Sequence, residues 1–368
     1  MSLQLRLVFM VFMALALAFG YLHLFLPGFT LYDFERLHIF LFNLVSGGTI
    51  IILYTQGTLR LTRLATAFLL VSLLFALLTF FQRYNAAVIA SLVLAVLVES
   101  LRWKHFAVFP VDFFKKTVPV SVKFHQAALL CLSIGLCIAA LVMANNTRLH
   151  LFSLETLSLN SFFLGFSFPV SLITFSLIFD LMHTDARGNN PVLDTLGFWT
   201  VNLGVIIFFV FIIAGMLVMQ LFITSILFLS VVMIFFLFVS LTRSVQQKNF
   251  LTSGMLFLLY TAVTGIVYIG LEFSPAYTQQ DLKLLLRMHS FASLYGWNLS
   301  GLAIICREHD FPIQLHSRLI ITIHWITAIL LAPLGTYSIP FAIAAWCCYC
   351  FILYMMLFSK GTRNTPLA

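Results

Sequence analysis

Residues 36–55 read Arg-Leu-His-Ile-Phe-Leu-Phe-Asn-Leu-Val-Ser-Gly-Gly-Thr-Ile-Ile-Ile-Leu-Tyr-Thr. The nineteen residues after Arg36 hold one imidazole, one amide and no full charge. A run of that length is what an α-helix needs to cross a hydrocarbon core about 30 Å thick. It places His38 just inside a membrane, with Arg36 two residues back toward water. Arg287-Met288-His289 opens a second such run. Ionisable groups in lipid are costly and mark function by default.

The rest of the 368 residues fits this reading. The chain is 62% hydrophobic and 9% charged, with a mean hydropathy of +1.07. Apolar stretches of about 20 residues recur from end to end. The expected fold is an all-α polytopic membrane protein, forming a single transmembrane helical domain over residues 1–368. The alternation of a membrane barrel is absent. Twelve spans are expected, at 5–26, 37–55, 62–81, 85–101, 123–145, 158–182, 195–216, 219–241, 250–271, 285–306, 318–336 and 340–359. The weakest breaks are Gly215-Met216 and Pro333-Leu334-Gly335. The first run continues past Ala14, Ala16 and Ala18 through Phe25, which favours a retained helix over a cleaved signal.

Charge supports the count. With twelve spans both termini share a side, and that side collects fifteen of the twenty Lys and Arg residues. Arg36, Arg83, Arg148, Lys283 and Arg287 make up the other five. The positive-inside rule then places both termini in the cytoplasm of a bacterial-type inner membrane. The net charge of +8 reads as topology and does not point to nucleic acid. Cys131, Cys137, Cys306, Cys347, Cys348 and Cys350 all lie in or at the ends of apolar runs, so no disulfide framework is expected. No Cys-x-x-Cys-His segment offers covalent haem attachment.

Spans two and ten both run inward from the outer side, so His38 and His289 are expected at one depth. Two imidazoles so placed can hold a haem iron from both faces, with Arg36 and Arg287 meeting its propionates. The expected site is therefore His38 and His289 as metal ligands to one haem b, with Arg36 and Arg287 binding the same cofactor. Ser293, Gly296 and Ser300 follow His289 on one face, and Ser46, Gly47 and Gly48 follow His38. Small residues leave room for a flat macrocycle; they equally allow close helix packing. His105, His183, His309, His316, His150 and His125 are read as solvated or interfacial. His324, two turns into span eleven, is read as a buried hydrogen-bonded residue. Asp180, His183, Asp185, Arg187 and Asp194 read as a solvated loop with local salt bridges. No P-loop, dinucleotide fingerprint, zinc-protease motif or nucleophile elbow is present.

The two motif segments resemble the catalytic subunits of haem-copper oxidases. Arg36-Leu-His-Ile-Phe-Leu-Phe-Asn-Leu-Val-Ser-Gly-Gly-Thr is similar to their second helix, above all in cbb-type oxidases and nitric oxide reductases. His289-Ser-Phe-Ala-Ser-Leu-Tyr-Gly-Trp-Asn-Leu-Ser-Gly-Leu-Ala-Ile is similar to their tenth. The resemblance covers about a tenth of the chain and implies twelve helices, cytoplasmic termini and a b-type haem. It also implies departures. The family's His-x-His on helix ten is here His289 and Phe291, so pairing His38 with His289 needs a shift in register. Spans six and seven hold no histidine for a copper ion, so no copper and no oxygen reduction are expected. The expected role is electron transfer, or gas or haem sensing, with a lipid bilayer and other membrane subunits or a cytochrome as partners. A transporter or channel is the alternative, since Asn43, Asn202, Glu272, Asn298 and His324 place polar groups inside spans; a ligand-free assembly subunit is the third.

Overall fold

The computed structural model describes residues 1–26, 32–58, 60–150, 155–183, 190–242, 246–274, 282–307, 310, 313 and 317–360, excepting the side chains of 155–165 and 246. These residues form helices and contain no strand, and the protein is an all-α polytopic membrane protein. Eleven helices among them are long and apolar enough to cross a membrane. They are α1 (Leu3–Phe25), α2 (Phe34–Thr55), α3 (Arg63–Phe80), α4 (Tyr84–His105), α5 (Val120–Leu149), α6 (Glu155–His183), α7 (Pro191–Ile213), α8 (Leu217–Leu241), α9 (Gln246–Glu272), α11 (Arg318–Gly335) and α12 (Ile339–Phe358). Between α9 and α11 runs α10, residues 283–306, an unbroken path of α, π and α turns. All twelve expected spans thus fall on helices.

Local chemistry sets the ends. Ser2, Asp33, Thr62 and Asn190 each accept a bond from a backbone N–H three residues on, satisfying donors that a helix start leaves open. The break between α7 and α8 rests on Gly215, whose φ of +66° is the left-handed turn that glycine adopts without strain. Inside the spans, hydroxyls return their protons to the helix itself. Thr49 donates to the Val45 carbonyl (2.6 Å), Thr79 to Phe75 (2.8 Å) and Thr261 to Phe257 (2.8 Å). In lipid no water can take that role.

The chain groups into two compact units. One comprises residues 1–174 with 305–308, the other 175–304 with 309–368. In the first, α2 packs against α1 and α3, and α4 lies between α3 and α5. The central window of α2 is 94% buried, against 28% for α7 and α8. The helix carrying His38 is therefore a core helix, while α7 and α8 present most of their surface to lipid. In the second unit α7, α8 and α9 pack in chain order, α9 lies along α10, and α10 and α12 both meet α11.

Among the described residues four helices contain a π segment: Phe40–Gly48 in α2, Asn145–Leu149 in α5, Ala292–Asn298 in α10 and Ile326–Leu331 in α11. The π-helix is rare and is frequently found at functional sites. His38, His289 and His324 each lie two or three residues before one of these segments.

Candidate functional site

Gly265 on α9 and His289 on α10 build the most defined of the expected positions. His289 Nδ1 lies 2.9 Å from the Thr261 carbonyl oxygen and 3.4 Å from Thr264 Oγ1. The Thr264 hydroxyl is itself 2.9 Å from the Tyr260 carbonyl. A carbonyl only accepts, so Nδ1 carries the ring proton and donates it to Thr261. In the neutral ring Nε2 is then a bare lone pair. The approach is possible because residue 265 is glycine: a Cβ there would stand 3.2 Å from His289 Cε1 and 3.4 Å from Nδ1.

His38, in the first unit, is half-buried on α2 and lies against Gly20 of α1. A Cβ at Gly20 would meet its Cγ at 3.7 Å and Nδ1 at 3.8 Å, ordinary contact distances. Arg36 forms an ion pair with Asp33, Nε to Oδ2 at 2.9 Å, and Asp33 also caps the helix through the Arg36 N–H. Arg287 is half-buried on the first turns of α10. His38 and Arg36 belong to the first unit, His289 and Arg287 to the second.

At Gly48, Gly296 and Ser300 the space beside the small residue is filled. A Cβ on Gly48 would come within 2.9 Å of the Phe68 ring, and one on Gly296 would overlap the Phe257 ring. Ser300 sits against Gly254, where a Cβ would lie 2.8 Å from its own. His289, Gly296 and Ser300 do share a face, as their spacing implies. That face is the seam with α9, meeting Gly265, Phe257 and Gly254 in turn. The room for a macrocycle expected along these residues is taken by helix packing, because a phenyl ring gains more by filling a glycine gap than a void would.

Other polar side chains take places that the sequence shows less well. His324 is 1% exposed, and its Nε2 donates to the Tyr295 carbonyl at 2.5 Å, inside the π segment of α10. Phe250 stacks on its ring and Phe257 packs at a tilt. Its reading as a buried hydrogen-bonded residue agrees with this position. His125 is not simply interfacial. Its Nε2 lies 2.8 Å from Thr55 Oγ1, whose own proton goes to the Ile51 carbonyl, so Nε2 is the donor. Tyr54 stacks on the ring. His183 ends α6, one residue past the expected span, and pairs with Asp194 of α7 at 3.1 Å. The contact is local, as expected, but Asp194 is buried and not part of a solvated loop; Asp185 and Arg187 lie outside the described residues.

Glu99, Arg102 and Ser133 form a polar cluster in α4 and α5 that sequence reasoning passed over. Arg102 grips both carboxylate oxygens (Nε to Oε1 at 3.1 Å, Nη2 to Oε2 at 2.7 Å) and the Ala107 and Val108 carbonyls, while the Ser133 hydroxyl donates to Glu99. The i, i+3 spacing of Glu99 and Arg102 was the available signal.

All six cysteines are free thiols. Among the described residues, no group of three or more His, Cys, Asp or Glu side chains converges as a metal site. No protein family, curated protein or solved structure matches this chain.

Proposed function

We propose that this chain is a multi-pass membrane haem protein, with His289 as an axial ligand. One observation carries the reading: the Thr261 carbonyl holds the His289 proton on Nδ1 and leaves Nε2 as a bare lone pair. Imidazoles that bind metals are held in this way, the second nitrogen fixed by a carbonyl or carboxylate. The ligand therefore fits the cofactor, and the half-buried Arg287, two residues before it on α10, supplies a cation for its carboxylates. The glycine stretches do not supply the cradle, since phenyl rings fill them. A b-type haem would contribute a one-electron couple or, with one axial position open, a place for a diatomic gas. The protein's own part is to fix the tautomer, to shield the ligand in a low-dielectric interior and to present a guanidinium group. The resemblance to haem-copper oxidases, with its missing copper ligands, supports electron transfer or sensing over oxygen reduction. The charge asymmetry supports cytoplasmic termini in a bacterial-type inner membrane.

The test is an absorption spectrum of detergent-purified, haem-supplemented protein, oxidised and reduced. A reduced b-type spectrum is expected, lost in His289→Ala while expression persists. Colour retained in that variant refutes the assignment. A protein that takes up no haem favours the transporter reading.

A further inference from the structure

The Glu99 cluster of the first unit opens onto a groove between α4 and α5. The groove has a volume of about 380 Å³, and its aliphatic wall is Leu130, Ile134, Ile138 and Leu141. From Leu130 to Leu141 it follows α5 for about 16 Å, at a rise of about 1.5 Å per residue. Both helices are membrane spans, so the groove lies within the hydrocarbon region. Its polar lining is Glu99, Arg102 and Ser133. Arg102 is 4% exposed and Ser133 3%, so both are sealed into the packing. The Glu99 side chain is 23% exposed and is the polar group that the groove reaches.

Hydrogen bonding fixes what this carboxylate can still accept. An ionised carboxylate has about four acceptor positions. Three protons serve its two oxygens: the Arg102 Nε–H, shared between Oε1 (3.1 Å) and Oε2 (2.9 Å), one Arg102 Nη2–H on Oε2 (2.7 Å), and the Ser133 hydroxyl on Oε1. About one position stays open, and among the described residues no further group fills it. A ligand seated there has to donate a hydrogen bond. Arg102 already neutralises Glu99, so an ammonium finds no unmatched anion, and a phosphate would face a carboxylate. One groove between two helices holds one tail, which a diacyl lipid exceeds. A neutral hydroxyl on a single apolar tail meets all of these conditions. A phenolic hydroxyl, with a pKa of about 10, is a far stronger donor to a carboxylate than an aliphatic alcohol.

We infer that the groove between α4 and α5 binds a membrane quinol, its phenolic hydroxyl donating to Glu99 and its tail lying along the aliphatic wall of α5. Occupancy of the groove does not depend on bound haem. A quinone lacks the proton, so its carbonyl would face the carboxylate lone pairs. The test uses the full-length protein, as purified, in phosphatidylcholine nanodiscs doped under argon with decylubiquinol, decylubiquinone or dodecanol, with bound ligand read by native mass spectrometry. Wild type should retain about tenfold more quinol than quinone, the difference made by one hydrogen bond to a charged group, and should retain dodecanol less than the quinol. Glu99→Gln should narrow the quinol-to-quinone ratio, because a carboxamide N–H can donate to a quinone carbonyl. Ile138→Trp fills the groove without touching the polar cluster, and should lose the quinol while melting at the wild-type temperature. If Glu99→Gln does not fold, the wild-type ratio and Ile138→Trp decide alone. Equal retention of quinol and quinone by wild type overturns the role of Glu99. Wild-type retention in Ile138→Trp overturns the groove, and dodecanol held as well as the quinol overturns the quinol as its occupant.

Discussion

Replacing Gly265 by alanine tests whether α9 tunes the His289 imidazole. The new methyl would stand 3.2 Å from His289 Cε1 and 3.4 Å from Nδ1, so the ring has to retreat by a few tenths of an ångström. The Nδ1–Thr261 bond is 2.9 Å now and would stretch past the range of a good hydrogen bond. Its loss costs about 0.5–1.5 kcal/mol. That converts to roughly a two- to tenfold weaker haem dissociation constant, because Nε2 is no longer held as the bare nitrogen. Alanine in a helix interior returns up to about 1 kcal/mol of propensity, so the net change in folding stability should be near zero. Gly20→Ala is the control. Its methyl would meet His38 at 3.7 Å and 3.8 Å, so the propensity gain should appear undiminished. The assays are haem titration by difference absorbance and thermal unfolding in detergent. Gly265→Ala stabilised as much as Gly20→Ala, with unchanged haem affinity, would refute the coupling between the glycine, the carbonyl and the ligand.

Two more outcomes follow from packing and charge. Gly296→Ala forces the Phe257 ring from its place and from its stack with Trp325 (4.0 Å between centroids), costing about 1–3 kcal/mol, whereas Gly270→Ala meets nothing within 4 Å and should not destabilise; melting temperatures of the two variants decide this. Arg102→Ala leaves the Glu99 carboxylate of α4 and the Ala107 and Val108 carbonyls of the following loop without their guanidinium donor and should cost about 1–3 kcal/mol in denaturant unfolding, with Glu99→Gln/Arg102→Met recovering part of the loss, because leaving one partner unsatisfied costs more than removing both.

The spans were legible because each is a continuous apolar run, and lipid leaves the backbone no alternative to a helix. Even the weak break at Gly215 was readable, since glycine serves the left-handed turn there. The partners of the buried polar groups were not. His289 finds its acceptor 28 residues upstream, and His125 bonds Thr55 from 70 residues away. Such pairings depend on which helix faces meet, and all-round apolar helices give no periodic signal of that. The small residues after His38 and His289 suit a flat macrocycle or close helix packing equally by sequence, and at Gly48 and Gly296 packing takes the space. What approaches them, Phe68 and Phe257, depends on α3 and α9, which carry no distinguishing motif. The π segments left no trace in composition either.

The seam between α9 and α10 pairs residue 265 with 289, 257 with 296 and 254 with 300. Each pair sums to nearly the same number, so the two antiparallel helices mesh like a rack cut to one pitch. Sliding α10 by a single residue would drive Phe257 off its glycine and Ser300 off Gly254 together. His289 is thus held against axial shear by contacts up to eleven residues away along its own helix. An imidazole on such a mount would move little when a charge beside it changes, the rigidity that the proposed one-electron role would need.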